Sequence, residues 1–519
     1  MNIQTSYMSD NTKNSNRIIK NTSLLYFRQI FTLFISLYTA SLTLRVLGEV
    51  NYGIYAAIGG FTSLISIITN SLTTGTQRFI TYELGRGDLE RLNKVYCTSI
   101  NIHIFLAIIL LIFGEIIGTW FIFHEMEIPP ERTMTAFIIL QFTLFNSALS
   151  LINTPNSAEI VAHEDIGAWS IVSIIDTILK LVAVAILYFI TWDKLISYAA
   201  FLFIIQFLNR TICVMWCKRK YPEVTYKFIW DKELFKSILK ISGWSSLPKL
   251  AQTGFVQGNS IILNIYFGPI VNAAYAIALQ AFTGIKQFSN NFQIASMPQI
   301  VKSYSIGDID RTRKLLFSVS KMSFYMIYLI SLPFILNAKT VLVFWLKDVP
   351  EHTTNIFILL LIYAFTDIFS TPLDIVAQAV GKLKKYSLCV SLCIISTLLF
   401  SIIAIQYIAI PEIIFIIAIT ISWLCIFIRL SCLKQIIEIN IKDFCANVLV
   451  SCAIVVIISL LPLVLLNKTY DTDNLFFLII KFLFSFLFVA STIYFVGLNK
   501  QEKIQINGFI KKMLIKIKF

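Results

Sequence analysis

Charge is scarce in this chain. Only 14% of its 519 residues are Asp, Glu, Lys or Arg, against 57% hydrophobic residues, far more apolar surface than a soluble core needs. The lipid bilayer is therefore the expected solvent. Histidine is scarcer still, at four residues, with no HExxH-like spacing, so no catalytic residue and no metal site is expected. Nine cysteines are scattered through apolar stretches, and Cys213/Cys217 and Cys389/Cys393 stand one helical turn apart; they read as small buried helix residues. Long polar loops are missing too. The longest on the outward side, Lys339 to Thr354, has about sixteen residues, which leaves little room for a convergent catalytic site. No small-residue cleavage site follows the polar first sixteen residues, so no secretory signal peptide is expected.

Acid is also short: 29 Asp and Glu stand against 43 Lys and Arg, a net charge of +14. The excess base does not point to nucleic acid, because it falls in alternate loops between hydrophobic runs. A helix spans the hydrocarbon with roughly 20 apolar residues, and the runs here are far too long for the strands of a barrel. About fourteen spans fit between residues 21 and 497. The basic loops include Lys218, Arg219, Lys220, Lys227, Lys232 and Lys236, and the tail carries Lys500, Lys503, Lys511, Lys512, Lys516 and Lys518. The opposite side carries the acidic HEMEIPPER segment and the nearly uncharged GPIVNAA. Both termini are predicted to be cytoplasmic.

What the chain has in abundance is self-similarity. Residues 48 to 94 reappear at 268 to 314, an offset of 220 without a gap. Gly48, Tyr55, Asn70, Gly87, Asp88, Arg91 and Lys94 face Gly268, Tyr275, Asn290, Gly307, Asp308, Arg311 and Lys314. The match of GDLERLNK with GDIDRTRK lies in a polar loop, where apolar composition cannot force agreement. The offset equals six spans plus a basic linker, so the two copies share one orientation and their pseudo-axis runs along the membrane normal. The predicted fold is all-α integral membrane, two pseudo-symmetric six-helix bundles plus two C-terminal helices. The predicted segments are an N-terminal cytoplasmic stretch 1–20, a first lobe 21–217, an amphipathic linker 218–241, a second lobe 242–433, and two further spans with a basic tail, 434–519. Within the linker, Leu234, Phe235, Ile238 and Ile241 recur at helical spacing among lysines, as in an interfacial helix.

A charge at bilayer depth costs about 3 to over 10 kcal/mol, so each one needs a partner, a wet cavity or a route to the surface. Arg28 in the first span and Lys249 in the seventh match at an offset of 221, together with Thr32/Thr253 and Phe34/Phe255; they either line a central cleft or snorkel to headgroups. Lys286 lies deep in the eighth span among Gln280, Gln287, Ser289, Asn290 and Asn291, which favours a polar lumen. Arg78 ends the second span and reads equally as an anchor or a cavity residue. Asp176 and Lys180 are four apart with the acid first, the better order for a helical pair. Asp367 and Asp374 are seven apart, hence on one face, with Pro372 between them; they are candidates for proton or cation coupling, or for pairing with base. Cavity cations suit a phosphate-bearing anion.

In GWSSLPKLAQTGFVQGNSIILNIYFGPIVNAAYAIALQ, NNFQIASMPQIVKSYSIGD and AQAVGKLKKY, and in the earlier LRVLGEVNYGIYAAIGG, the chain resembles Wzx-like polysaccharide flippases of the multidrug/oligosaccharidyl-lipid/polysaccharide exporter (MATE-like) superfamily. The resemblance runs from the first span through the twelfth. It implies a cargo of undecaprenyl-diphosphate-linked oligosaccharide, flipped by alternating access from the cytoplasmic to the periplasmic leaflet of a bacterial inner membrane. The cargo would serve O-antigen, lipopolysaccharide, capsule or exopolysaccharide synthesis. It further implies no cofactor beyond an H+ or Na+ gradient, a glycan polymerase and chain-length regulator as neighbours, no nucleic acid, and Arg28, Lys249, Lys286 and Arg78 as the cationic cavity. Where many relatives carry Arg in the NAA segment, this chain has Tyr275. A drug exporter of the same superfamily is the nearest alternative, with Asp367 and Asp374 as its support, and a membrane glycan polymerase or ligase is the more distant one.

Overall fold

The computed structural model describes residues 28–163, 165–380, 383–434, 437–469, 475–500, 502–504 and 507. The predicted N-terminal stretch 1–20 and most of the basic tail lie outside the described residues. The first unit is built from α1 (Arg28–Leu47), α2 (Glu49–Arg86), α3 (Leu89–Trp120), α4 (Thr133–Ala162), α5 (Ile166–Ile186), α6 (Lys194–Lys220) and the start of α7 (Lys232–Ser305). The second holds the rest of α7, then α8 (Ile309–Leu336), α9 (Ala338–Leu346), α10 (Thr353–Asp367), α11 (Ser370–Val380), α12 (Leu383–Tyr407), α13 (Ile413–Lys434), α14 (Ile441–Phe444), α15 (Ser451–Thr469) and α16 (Leu475–Thr492). By packing, the chain divides at Ile277/Ala278, with residues 350–352 going to the first unit.

Among the described residues there is no strand, and twelve helices are long and apolar enough to cross a membrane. The expected count of about fourteen is not reproduced, for a local reason. The expected seventh and eighth spans run together in α7, which leaves helical geometry at Gly268, so a single left-handed glycine replaces a loop. The expected second span lies in α2, which is not among the twelve.

The sequence repeat is written into the backbone. Among the described residues the glycines with positive φ are Gly48 (79°), Gly87 (73°), Gly268 (79°) and Gly307 (77°), two pairs at the repeat offset. Only a residue without Cβ takes this conformation cheaply. Gly87 closes α2 with its N–H on Leu84 O at 3.1 Å, and Gly307 bonds Tyr304 O at 3.0 Å. The next residue caps the following helix in both copies: Asp88 Oδ1 accepts from the Arg91 amide at 3.0 Å, and Asp308 Oδ1 from the Arg311 amide at 2.9 Å. The GD motif is thus a helix stop followed by a helix start.

In lipid the hydrophobic effect does not drive helices together, so small residues and polar contacts must. The first unit uses both. Gly114 and Gly118, four apart on α3, let α4 come so close that a Cβ would stand 2.3 Å from Leu144 Cδ2 or 2.8 Å from Leu140 Cδ2. On the same interface Gln141 donates to Glu115 at 2.8 Å, satisfying a carboxylate inside a span. At Gly53 the fit is tighter. A Cβ there would lie 1.8 Å from the Pro269 carbonyl oxygen, and Asn272 Nδ2 donates to Gly53 O at 2.9 Å while accepting from Ser260 at 2.8 Å. The repeated Gly48 and Gly268 corners are therefore held together by a backbone contact that only glycine permits.

The linker between α6 and α7 is extended over its first part and lies along α3. Asn93, Cys97 and Asn101, spaced one turn apart, accept or donate to the linker backbone: Asn93 Nδ2 to Glu223 O and Thr225 O, Lys227 N to Cys97 Sγ, and Asn101 Nδ2 to Ile229 O. Helix resumes at Lys232, capped by Asp231, which accepts from the Glu233 and Leu234 amides and pairs with Lys94 at 3.0 Å. The Leu234 amide and Lys94 hold the Asp231 carboxyl below its ordinary range. Side chains of 236–246 lie outside the described residues, so only the start of the expected amphipathic face is described.

The last two spans are bound to the second unit by buried polar contacts with α8. Lys321 pairs with Glu502 at 2.8 Å, Tyr325 donates to Gly497 O at 3.0 Å, and Tyr328 bonds Ser459 at 2.7 Å.

Candidate functional site

The second unit contains a broken helix. α10 ends at Asp367 and α11 begins at Ser370, with Pro372 in the first turn of α11, where its missing N–H costs nothing. The break frees backbone groups that a spanning helix would satisfy by itself. Gln293 Nε2 answers one of them, donating to Ile368 O at 2.8 Å in a buried position. Discontinuous helices inside a bundle are where transporters place charge, because irregular backbone at that depth is tolerated only inside protein or against a wet cavity.

Both aspartates flank the break, and each meets a cation. Lys286 Nζ donates to Asp367 Oδ2 and lies 5.7 Å from the Phe282 ring centre. Asp374 Oδ1 accepts from Arg429 Nη1 and, at 2.6 Å, from the Tyr386 hydroxyl, which in turn accepts from Arg429 at 2.9 Å. Arg429 is only 3% exposed. Two acids and two bases sum to zero, so burial leaves no net charge to solvate. Removing one partner would strand the other. The expected role of Lys286 as a cation in surplus is accordingly modified: its charge is matched by Asp367, 81 residues away, a pairing that no local spacing reveals.

The first unit treats its cations differently. Arg28 is half-buried at the start of α1, and Lys249 in α7 is exposed; neither has an ion pair among the described residues. Asp176 and Lys180 do pair, at 2.7 Å, and Asn209 Nδ2 adds a second bond to Asp176 at 2.6 Å. The Arg78 side chain lies outside the described residues. Tyr275, at the position where arginine was the alternative, is buried and donates to Val256 O at 3.0 Å; it acts as a packing residue within the first unit. A cleft of about 570 Å³ beside the Gly268 corner, between Val50, Glu127, Pro129, Tyr266 and Pro269, holds none of the candidate cations.

Arg429, Tyr386 and Gln293 were not legible as site residues. Arg429 lies near the end of a hydrophobic run ending in Lys434, where an arginine ordinarily reads as a headgroup anchor. The available signal was the pair of aspartates themselves: two acids in one span require two bases elsewhere.

No protein-family model and no curated protein sequence matches the chain. Solved structures do. A lipid II flippase MurJ in an inward closed conformation aligns over 92% of this chain and 99% of its own, with 13% identity and a TM-score of 0.68. An inward-facing multidrug resistance MATE family transporter of the MOP superfamily aligns over 79% and 98%, with 15% identity and a TM-score of 0.66. The eukaryotic MATE transporter AtDTX14 aligns over 82% and 98%, with 14% identity and a TM-score of 0.58. The chain has the fold these multi-pass transporters share. None of the three is an enzyme by its description.

Proposed function

We propose that this protein is a transporter that flips a lipid-linked oligosaccharide carrying a diphosphate, of the undecaprenyl type, between membrane leaflets by alternating access. The observation that carries the reading is the contrast in charge. The candidate carboxylates Asp176, Asp367 and Asp374 are each held by a base, whereas Arg28 and Lys249 sit in spans without an ion pair among the described residues. A phosphate-bearing headgroup leaves water only if cations replace its hydration. A cation exporter that used these candidate carboxylates would require the reverse, one of them free.

Lys286 joins the reading conditionally. A proton or sodium ion on Asp367 would free the ammonium for a phosphate oxygen, which couples cargo to an ion gradient. A glycan polymerase and a chain-length regulator acting on the released unit are the partners this reading requires, at a bacterial inner membrane with both termini cytoplasmic.

The test is complementation in a strain lacking the gene. The expected result is that the deletion accumulates lipid-linked oligosaccharide on the inner leaflet, with loss of one surface glycan, and that the gene restores it without changing drug resistance. Restored drug resistance with no glycan defect would replace this reading by the exporter.

A further inference from the structure

At the end of α4, away from the charged pairs described above, three side chains converge with donor atoms suited to a metal. Glu159 and His163 are one turn apart, and Glu223 comes from the extended linker. His163 Nε2 lies 2.7 Å from Glu223 Oε1 and 3.8 Å from Glu159 Oε2, and one ligand atom from each residue falls within 4.8 Å of the others. The imidazole is stacked on Tyr221 at 3.9 Å with its plane tilted by 7°, so its orientation is fixed.

Glu159 makes this more than a cluster of acids. It is 0% exposed, and neither carboxylate oxygen has a hydrogen-bond partner. Glu223 beside it is 5% exposed. The single proton that His163 Nε2 can carry points to Glu223, and Glu159 receives nothing. A buried carboxylate without a donor is strongly disfavoured; a divalent cation shared with Glu223 removes that penalty and balances both negative charges.

We propose that Glu159, His163 and Glu223 bind a divalent first-row transition cation, with zinc the best match to one imidazole and two carboxylates. Three protein ligands leave a fourth position for water. At metal–ligand distances of about 2.1 Å, tetrahedral ligands stand about 3.4 Å apart, within small side-chain adjustments of the separations seen. Because Glu223 belongs to the linker, Glu159 to α4 and His163 to the C-cap of α4, the ion staples the connection between the repeats onto the end of α4. It adds to the ladder that Asn93, Cys97 and Asn101 make with the same segment.

The test uses full-length protein carrying a tag without histidine, purified in detergent, stripped with chelator and titrated with Zn2+. Calorimetry and elemental analysis are expected to give one Zn2+ per chain in the wild type. Glu159→Gln and His163→Ala are each expected to weaken binding at least about 100-fold, since even outer-shell partners are worth up to that factor. His163→Gln serves in place of either variant that fails to fold. Bound Zn2+ is also expected to slow tryptic cleavage at Lys227 several-fold in the wild type and not in the variants. Cys97, Cys213 and Cys217 belong to the same buried cluster, so Co2+ is the second probe: its visible bands are expected without a sulfur charge-transfer band. No bound Zn2+, equal binding by the variants, or a thiolate band from Co2+ would each overturn the site.

Discussion

In the second unit, Lys286 meets Asp367 and Arg429 meets Asp374 and Tyr386, so these four charges cancel within hydrogen-bond distance. In the first, Asp176 and Lys180 cancel in the same way, but Arg28 and Lys249 are left without an ion pair among the described residues. The repeat does not follow this division: Gly87 and Gly307 fall one in each unit, while Gly48 and Gly268 both fall in the first. The contrast is between charges locked together beside a broken helix and cations that carry no ion pair among the described residues.

Substitutions on either side of this contrast test it. The largest effect is expected from Arg28→Ala with Lys249→Ala: glycan export should vanish while the protein still inserts, as read by surface glycan staining beside membrane fractionation. Unaltered export would remove the distinction between available and locked cations. Next comes Arg429→Ala, which strands a buried acid and the Tyr386 hydroxyl; a loss of about 3 kcal/mol is expected, measured by thermal unfolding in detergent. A loss near zero would mean that the second unit does not depend on its locked charges.

Gly53→Ala should cost about 2 kcal/mol through overpacking, because its Cβ would meet Pro269 backbone at 1.8 Å. Gly114→Ala meets the flexible end of Leu144 instead and should cost less; the reverse order in unfolding temperature would show that the glycine corner is not a backbone seam. Asp88→Ala and Asp308→Ala each remove an equivalent helix cap, so each should cost about 1 kcal/mol, and clearly unequal losses would show that the repeat is no longer mechanically symmetric.

The smallest expected effect is a pH dependence at Asp165, outside the spans. Burial alone would raise its carboxyl, but hydrogen bonds from Lys220 at 2.5 Å and Trp216 at 3.1 Å, together with the Lys220 charge, bring it below the ordinary value. A lowered acid contributes stability above its unfolded value and loses it as pH falls through the folded one. The contribution should thus be constant above roughly pH 5 and fade below about 4. Lys220 is 51% exposed, so screening limits it to under about 1 kcal/mol. Comparing unfolding of the wild type and Asp165→Asn at pH 7 and pH 3.5 checks this: the gap should shrink at the lower pH.

Much of the fold was legible in local pattern. The GDLERLNK/GDIDRTRK match marked one polar loop in both copies, and the helix stop and capped start found there depend only on near neighbours, a glycine at positive φ and an aspartate accepting from an amide three residues on. The Asp176/Lys180 pair was legible for the same reason, being one helical turn. The break at Pro372 was legible in outline, though it falls just before the proline. Gln293, which satisfies Ile368 O, was not legible, nor were Tyr386 and Arg429. Their partners lie on other helices, and hydropathy records that a charge is in a span without saying what it faces. The helical spacing of Leu234, Phe235, Ile238 and Ile241 agrees with the helix that starts at Lys232; the extended path before it was not legible, because it depends on α3 side chains that bond its backbone.

Apolar length and residues within one turn of each other were enough to give the medium, the helical class and the repeat with its offset of 220. Tertiary structure alone decided which charges are spent. Whether Lys286 is available or matched, whether Arg429 anchors to headgroups or holds Asp374, and whether Glu159 finds a donor all depend on side chains brought together from distant helices. In a low dielectric a partner within 3 Å decides between a tolerated charge and one that costs several kcal/mol.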